Sequence, residues 1–436
     1  MKTSHQLFAL IAAGTLAFSA RVCGAVTLAG TPTEPAFPLV AGGAAAPIVL
    51  PPNAPEVVKI AARDFGPTNA EAVASILSRL HTINFARKTE HLQWHLSKTP
   101  YQPTELNEAE IRQRLQACAA LLHDSDTLAG QLPAAARDAY FELIGYAVGI
   151  TAAANERYFH SELARADVAR DRSPAANRAA EQAADARVSQ LTARYNNDTA
   201  GGKWRNIVTE GGVARKDWNR FQRDTTPPPA PTTNNVCPPA PPERSPLPQP
   251  ADAKPGDFVE CDKVVSMDAG HFSRRNDLPS GAGWRAVPGL GRTASAVTVL
   301  PSTTSITSNA APSLEYRFHV TTDGAATVRV RLVPTYPLIS GRGLRFAVAM
   351  DEAVPQSVAV TLGFDNKSND KSLTEWQRRV LDNATEASLK LTQPLAPGWH
   401  TLRLVAVDAG IVVDKIILDF GGLPPSYDGP AETRLP

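Results

Sequence analysis

The period of the hydrophobic pattern changes once along the chain, and this change constrains the fold more than any other feature. From Pro67 to about Arg223, apolar residues recur every three or four positions, which indicates amphipathic helices. From Phe258 onward the period falls to two, which indicates half-buried strands. The many prolines between Thr225 and Gly256 favour a stiff, extended spacer over a packed element. The sequence therefore predicts a multidomain α and β protein, with an antiparallel helical bundle followed by a Pro-rich linker and an antiparallel β-sandwich.

Start signals and apolar faces support the helical part. Pro67 suits the first turn of a helix, and Ser173 followed by Pro174 predicts another N-terminus. The first predicted apolar face consists of Val73, Ile76, Leu77 and Leu80. The second consists of Leu106, Ile111, Leu115, Cys118, Leu121 and Leu122. Short connections between such helices are typical of an antiparallel bundle.

Alternation is clearest in the stretches "LEYRFHVT" and "ATVRVRLVP". The apolar positions are Leu314, Tyr316, Phe318 and Val320 in the first, and Val328, Val330 and Leu332 in the second. A β-barrel gives a similar pattern, so the sandwich is a preference.

The N-terminus has the features of an export signal. Lys2 precedes an apolar run from Leu7 to Ala20, and small residues ending at Ala25 provide a cleavage site. The run is short for a membrane anchor, and Arg21 disfavours a lipoprotein signal. We therefore expect a secreted or periplasmic protein, with no other segment apolar enough to cross a membrane.

Two short apolar runs follow this signal, Phe37–Val40 and Pro47–Leu50, separated by two glycines. They predict a hairpin, but two strands alone bury no core. We expect this pair to be poorly ordered or to pack on the outside of the helices.

Composition and motif spacing exclude several function classes. Lys and Arg total 44 against 43 Asp and Glu, so no charge excess favours nucleic acid or an anionic membrane. The nine His residues supply no zinc-like pairing with Cys. The stretch "PGLGRTAS" lies among strands, which disfavours a nucleotide site.

Aromatic and basic residues supply the candidate substrate contacts. Lys203 beside Trp204 offers a cation and an aromatic face, which suit a carboxylate-bearing sugar. The alternative is that Trp204 and Trp218 only fasten a loop to the helices. Trp284, Trp376 and Trp399 are candidates for stacking on sugar rings, with core packing as the alternative. The candidate substrate-binding set is Lys203, Trp204, Trp284 and Arg292.

Cleavage after Ala25 would leave three cysteines. Cys118 lies on an apolar helix face and suits a core position. Cys237 and Cys261 flank part of the Pro-rich segment, and an oxidising compartment would permit a disulfide between them. The sequence leaves their pairing open.

Several long stretches together resemble a known family. They are "AYFELIGYAVGITAAANERYFHSELARA", "AGGKWRNIVTEGGVARKDW", "VSMDAGHF", "GRGLRFAVAMDEAVPQSV" and "PGWHTLRLVAVDAGIVVDKIILDFGGLPPSYDGP". These stretches resemble the helical region and the C-terminal β-sandwich of glycoside hydrolase family 115, the xylan α-1,2-glucuronidases. The stretch "FPLVAGGAAAPIVLPPNAPEVVKIAARDF" is similar to the start of the family's N-terminal α/β domain.

The resemblance implies a domain order and a missing catalytic barrel. Family members carry a (β/α)-barrel with the catalytic carboxylates before the helical bundle, whereas here the opening strands run into the bundle at "KIAARDFGPTNAEA". We interpret this as an in-frame loss or a gene-model error. The expected domains are a signal peptide (1–25), a short remnant of the α/β domain (26–56), the bundle (57–224), the linker (225–256) and a carbohydrate-binding-like sandwich (257–436).

Two motifs depart from what the resemblance implies. After Lys203-Trp204 the family's His and Tyr are replaced, which weakens an inherited sugar contact. "SMDAGHF" is similar to an acidic-Ala-acidic opening that holds calcium in related sandwiches, with Asp268 present but Gly270 in the second acidic place. Since Ca²⁺ needs several oxygens, Asp268 is a weak metal candidate and we expect no other cofactor.

The acidic residues predict no catalytic pair. Glu105, Glu108 and Glu110 lie on a helix face, and Asp323 and Asp351 lie in strand turns, where carboxylates are usually solvated. We therefore expect an exported, non-catalytic module that binds a plant cell-wall glycan such as glucuronoxylan. The alternatives are a hydrolase that releases (4-O-methyl)glucuronic acid with a barrel supplied elsewhere, and a structural remnant without ligand. Whether the chain is an enzyme, and whether it forms a homo-oligomer, stays open.

Overall fold

The structure is a computed structural model that describes residues 55–92, 103–208, 230–307, 311–338, 342–360 and 378–436. The predicted signal peptide, the two apolar runs that follow it, Trp218 and Trp376 lie outside the described residues. In the described ranges, no helix combines the length and apolar character needed to cross a membrane.

Helices occupy the first half of the described chain. The α-helices are α1 (Glu56–Phe65), α2 (Ala70–Ala86), α3 (Glu108–Gln131), α4 (Ala134–Tyr140), α5 (Tyr146–Ala169) and α6 (Ala175–Ala193). Short 3₁₀ segments cover Pro67–Asn69, Thr89–Leu92 and Thr199–Gly202, and π-helical segments cover Phe141–Gly145 and Arg194–Asp198.

The predicted start at Pro67 is confirmed, and the predicted apolar faces are mostly buried, with Leu77, Leu115 and Leu122 half-buried. Pro67 takes the first position of the short 3₁₀ helix before α2. On the α2 face Val73, Ile76 and Leu80 are buried, and on α3 Ile111, Cys118 and Leu121 are buried. Burial of one stripe of each helix stabilises this region more than helix propensity alone would.

The described residues form two compact units. The first comprises 55–81, 118–152 and 188–208, and the second comprises 82–92, 103–117, 153–187 and the described residues from 230 onward. In the first unit, the rings of Phe65 and Tyr140 pack edge to face at 5.6 Å, and Tyr140 Oη lies 2.9 Å from Ser125 Oγ.

The second unit contains two β-sheets. Its strands are β1 (Phe258–Val259), β2 (Val264–Asp268), β3 (Arg274–Asn276), β4 (Gly283–Pro288), β5 (Ser295–Leu300), β6 (Ser313–Val320), β7 (Thr327–Leu332), β8 (Arg345–Met350), β9 (Gln356–Ala359), β10 (Thr385–Lys390), β11 (Gly398–Ala406) and β12 (Val412–Asp419). One sheet has the order β1-β6-β11-β8-β9 with β3 paired to β6, and the other has β10-β7-β12-β5-β4 with β2 paired to β12. The β1–β6 pair is parallel and the other pairs are antiparallel.

The alternating strands supply the core between the sheets. Leu314, Tyr316, Phe318 and Val320 of β6 are fully buried, as the period of two predicts. Two packed sheets confirm a sandwich over a barrel.

Two parts of the second unit differ from the prediction. The Pro-rich segment is packed in places, because Val236 and Cys237 are buried against Ile111 and Phe159 of the helices. Strand β12 is buried on both faces, since its Lys415 is covered by the C-terminal residues around Pro430. Apolar side chains within a proline-rich stretch, and charged ones within a strand, are buried here by segments distant in sequence.

Candidate functional site

The loop that carries Lys203 and Trp204 belongs to the first unit. It follows Gly202, whose φ of +79° favours glycine and where a Cβ would lie 3.0 Å from the backbone oxygen of Asn197. Lys203 is exposed, and its Nζ lies 4.4 Å from the centroid of the half-buried Trp204 ring. The structure thus brings the predicted cation and aromatic face together, and their contact with a sugar stays a prediction.

The other described candidate tryptophans lie in the sandwich. Trp284 of β4 is fully buried and donates its Nε1 hydrogen to the backbone oxygen of Pro312 at 3.1 Å. Trp399 of β11 is half-exposed, with the Arg317 guanidinium 3.6 Å from its ring centroid. Because the Trp284 ring has no exposed face, it offers no stacking surface to a sugar.

Arg292 has a structural position between β4 and β5. Its side chain is 7% exposed, lies 3.7 Å from the centroid of the Tyr427 ring, and donates to the backbone oxygens of Tyr427 and Asp382. Asp414 accepts from the Arg292 backbone N–H at 2.9 Å. Arg292 therefore joins three segments of the second unit, and its side chain, like that of Trp284, is too buried to contact a sugar.

A buried ion pair lies beside Arg292. Arg87 donates to Asp382 Oδ1 at 2.7 Å, and Tyr427 donates its hydroxyl hydrogen to the backbone oxygen of Ala86 at 2.7 Å. Burial raises the pKa of the Asp382 carboxyl, and burial likewise raises the pKa of the Tyr427 hydroxyl. These contacts fix the end of α2 to the sandwich, so the cluster is structural.

The predicted solvation of the acidic helix face is wrong at Glu108. Glu108 is 5% exposed and accepts hydrogen bonds from Arg170 and Arg172, because α5 and the loop after it cover this end of α3. Asp323 and Asp351 are exposed, as expected.

A second buried acid lies on α5. Glu162 is 1% exposed and accepts from the backbone N–H and the hydroxyl of Thr104, each at 3.0 Å. Burial raises the pKa of Glu162 to about 8, because desolvation outweighs the Thr104 hydrogen bonds and the nearby Arg87 and Arg165 charges. The periodicity placed Glu162 in a helix but gave no sign of its burial.

Asp268 lies in a mixed cluster at the end of β2. Its Oδ1 is 2.8 Å from Lys415 Nζ, and its backbone N–H donates to Glu432 Oε1 at 3.1 Å. His271 Nδ1 lies 2.8 Å from Glu432 Oε1. Asp268, His271 and Glu432 place one ligand atom each within 4.8 Å of one another. The sequence identified Asp268 alone, since Glu432 is distant along the chain.

The three described cysteines form no disulfide with one another. Cys237 and Cys261, which the sequence offered as a disulfide, are each buried and unpaired with one another. Cys237 packs against helical residues, and burial raises the pKa of its thiol to about 12. Cys261 instead donates to the backbone oxygen of Ser245 at 3.2 Å. The two thiols therefore lie in different surroundings, one against the helices and the other beside Ser245.

One exposed aromatic residue was missed by the sequence reasoning. Tyr336 is 67% exposed in the loop after β7, and the neighbouring Leu338 is 56% exposed. Thr335 anchors this loop by donating to the backbone oxygen of Gly410 at 2.7 Å. The available signal was an aromatic residue between Pro334 and Pro337, where a strand cannot continue.

Comparison with known families identifies the sandwich. Residues 257–432 match the family model described as the glycosyl hydrolase family 115 C-terminal domain. These residues are therefore similar to the C-terminal domain of that family. The resemblance inferred from the sequence is thereby confirmed. A search of curated proteins found no match to this chain.

A solved enzyme structure extends the likeness in fold beyond the family 115 C-terminal domain. The chain is similar to the family 115 4-O-methyl-alpha-glucuronidase BtGH115A, described as having specificity for decorated arabinogalactans, with a TM-score of 0.58 and 23% identity. The match covers 83% of this chain and 41% of that enzyme's chain, so this chain spans less than half its length. At this identity the likeness establishes the fold alone.

Other solved structures match a shorter part of the chain. One is the C-terminal family 6 carbohydrate-binding module of a marine laminarinase, LamC, from Zobellia galactanivorans, with 13% identity, 36% of this chain, 98% of that chain and a TM-score of 0.25. Another is a family 35 carbohydrate-binding module from Clostridium thermocellum, with 14% identity, 36% of this chain, 96% of that chain and a TM-score of 0.23. TM-scores this low do not establish a shared fold, so no conclusion about this chain is drawn from these two modules.

Proposed function

We propose that this chain binds a plant cell-wall glycan bearing uronic acids, such as glucuronoxylan, through its C-terminal domain without cleaving it. The observation that carries this proposal is Tyr336, an aromatic ring 67% exposed on a domain of a glycan-hydrolysing family. An exposed tyrosine offers an apolar face to a pyranose ring and a hydroxyl to its polar edge.

The use of the buried carboxylates supports a non-catalytic role. Glycoside hydrolysis needs two carboxyl groups about 5–10 Å apart on either side of the sugar. Arginine pairs hold Glu108 with Arg170, Asp382 with Arg87, and Asp408 with Arg345. Glu162 is enclosed with Thr104. Among the described residues, these carboxylates are therefore engaged in structural contacts.

Affinity gel electrophoresis tests the binding proposal. We expect glucuronoxylan to retard the wild-type chain, and we expect Tyr336→Ala to weaken binding by about tenfold because it removes the stacking face. Val354→Ala, at a residue 83% exposed in the turn after β8, is the matched control and should bind as the wild type does. A parallel gel with a decorated arabinogalactan, the glycan named for BtGH115A, shows whether the chain binds that glycan as well as glucuronoxylan.

Unchanged mobility of the wild type in every glycan gel would contradict the binding proposal. That outcome, with the fold intact by circular dichroism, favours the structural remnant without ligand. Equal retardation of Tyr336→Ala and wild type would contradict the assignment of Tyr336 but not glycan binding.

Lys203 and Trp204 supply a second proposed contact, directed at the sugar carboxylate. The exposed ammonium beside the indole ring supports this role. Lys203→Met should weaken retention on glucuronoxylan and leave retention on neutral xylan unchanged. An equal effect on both glycans would contradict a contact with the carboxylate.

A hydrolase that releases (4-O-methyl)glucuronic acid, with a barrel supplied by another polypeptide, is the second candidate function. The fold similarity to BtGH115A over 83% of this chain favours it. Uronic acid released by the purified chain alone, or only after adding a barrel-containing partner, would support this candidate over the first.

Export is part of the proposal, since the glycan is extracellular. It rests on Lys2, the apolar run Leu7–Ala20 and the small residues before Val26. N-terminal sequencing of protein from the medium or periplasm should begin at Val26. Recovery of the intact Met1 form only from the cytoplasm would contradict export.

A further inference from the structure

Lys415 occupies a position at which the opposite strand presents an acid. Lys415 of β12 and Asp268 of β2 are directly opposite each other in the antiparallel pair. The Lys415 side chain is 7% exposed, and its Nζ lies 2.8 Å from Asp268 Oδ1. A buried ammonium so close to a carboxylate forms a largely desolvated ion pair.

Two further oxygens contact this ammonium. Lys415 donates to the backbone oxygen of Pro430 at 2.9 Å, and its Nζ is 3.5 Å from Ser266 Oγ. We call the oxygens of Asp268, Ser266 and Pro430 the oxygen cage. The Glu432 carboxylate lies beside it, where its Oε1 accepts the Asp268 backbone N–H and lies 2.8 Å from His271 Nδ1.

The oxygen cage does not fit an additional hard divalent cation. Ca²⁺ takes six to eight oxygens, more than the oxygen cage supplies, and Gly270 adds no carboxylate to it. A Cβ at Gly270 would lie 2.1 Å from Ser295 Oγ, so an acidic side chain there would require Ser295 to move. Asp268 Oδ1 is buried without a well-aligned hydrogen bond, and the Lys415 charge beside it would repel a second cation.

We propose that Lys415 is the resident cation of the oxygen cage, so that the C-terminal domain closes over its own ammonium group and needs no divalent metal. The cage then joins β2, β12 and the segment at Pro430–Glu432 through one fixed positive charge. Removing that charge leaves the Asp268 carboxylate unpaired beside His271 and Glu432, whose ligand atoms and that of Asp268 lie within 4.8 Å of one another, and we expect a divalent cation to bind there.

Thermal unfolding of the full chain tests this proposal. The wild type should unfold at the same temperature in EDTA, in millimolar Ca²⁺ and in millimolar Zn²⁺. Lys415→Met, which keeps the length but not the charge, should lower Tm by roughly 5–10 °C in EDTA because it leaves Asp268 unpaired. Ca²⁺ or Zn²⁺ should return several degrees of that loss.

Two further variants provide controls. Lys390→Met changes an exposed lysine of β10 in the same sheet and should change Tm by less than about 1 °C, as surface substitutions do. Asp268→Asn combined with Lys415→Met removes both charges, so it should be more stable than Lys415→Met and should show no rescue by metal. If Lys415→Met fails to fold, the wild type and the double variant still provide the comparison.

Three results would overturn the proposal. The first is a wild type that loses stability in EDTA or gains it with a divalent cation. The second is a Lys415→Met variant as stable as the wild type. The third is a folded, destabilised Lys415→Met variant that neither cation stabilises.

Discussion

The fold strongly alters the protonation of Glu162. It is buried on α5 beside Thr104, and its pKa is raised from 4.5 to about 8 by burial. The folded state therefore retains a proton that the unfolded chain releases between these pH values. The contribution of Glu162 to stability is complete below pH 4.5 and is lost as the pH rises towards 8.

Glu162→Gln should remove this pH dependence. The free energy of unfolding of the wild type should fall by up to a few kcal/mol between about pH 5 and pH 8, and the variant should lose less because its amide carries no proton to release. Urea denaturation at both pH values measures the difference. Glu71→Gln, at an exposed position of α2, is the control and should keep the wild-type slope. If the unfolding free energy of Glu162→Gln depends on pH as strongly as that of the wild type, this account is contradicted.

Single residues also show where prediction of the site fails. The sequence proposed Trp284 and Arg292 as sugar contacts, but both are buried by segments that join them only in the folded chain. Tyr336 was overlooked, yet it is exposed, since the flanking prolines keep its loop out of the sheets. Residue type predicts what a side chain can bind, whereas its accessibility depends on long-range packing.

At the scale of elements, the start of α3 has two functions. Asn107 Oδ1 accepts the backbone N–H groups of Ala109 and Glu110 at 3.0 Å, and Glu110 Oε2 accepts that of Asn107 at 2.9 Å. This reciprocal pair is a capping box. Glu110 also accepts from the backbone N–H groups of Tyr427 and Asp428, each at 3.0 Å. The same carboxylate therefore caps the helix and binds the segment after β12.

Substitutions at the two capping residues should have unequal effects. Asn107→Ala should cost about 1–2 kcal/mol of unfolding free energy, through the lost cap and the lost hydrogen bond from its Nδ2 to the backbone oxygen of Pro425. Glu110→Ala should cost about 2–3 kcal/mol, because it also leaves the Tyr427 and Asp428 N–H groups without their acceptor. Chemical denaturation measures both values, with Glu71→Ala in the first turn of α2 as the control. Equal losses at Asn107 and Glu110 would show that the Glu110 hydrogen bonds to Tyr427 and Asp428 add no stability beyond what Asn107 contributes.

Strands show which elements the sequence predicts well. In β6 one face packs in the core and the other is partly exposed, so a period of two is visible. In β12 both faces are buried, and Asp414 and Lys415 interrupt the apolar run because each meets polar partners from distant segments. A local pattern predicts a strand that has one solvent-exposed face. It does not predict that a distant segment will cover the second face of a strand, as happens in β12.

For the whole molecule, the order of helices followed by a β-sandwich is confirmed, and residues 257–432 match the family 115 C-terminal domain model. The Pro-rich segment was only partly predicted. Composition predicts extended backbone without helix or strand, but it does not reveal that Glu108 donates its backbone N–H to Pro238 at 2.9 Å. The scaffold therefore follows from periodicity, and its internal attachments do not.

Release of uronic acid from glucuronoxylan by the purified full chain tests the central claim most directly. We expect no (4-O-methyl)glucuronic acid above the uncatalysed background, because Glu108, Asp382 and Asp408 are held by arginines. Sustained release in proportion to the amount of chain added would contradict the claim that this protein binds such glycans without cleaving them.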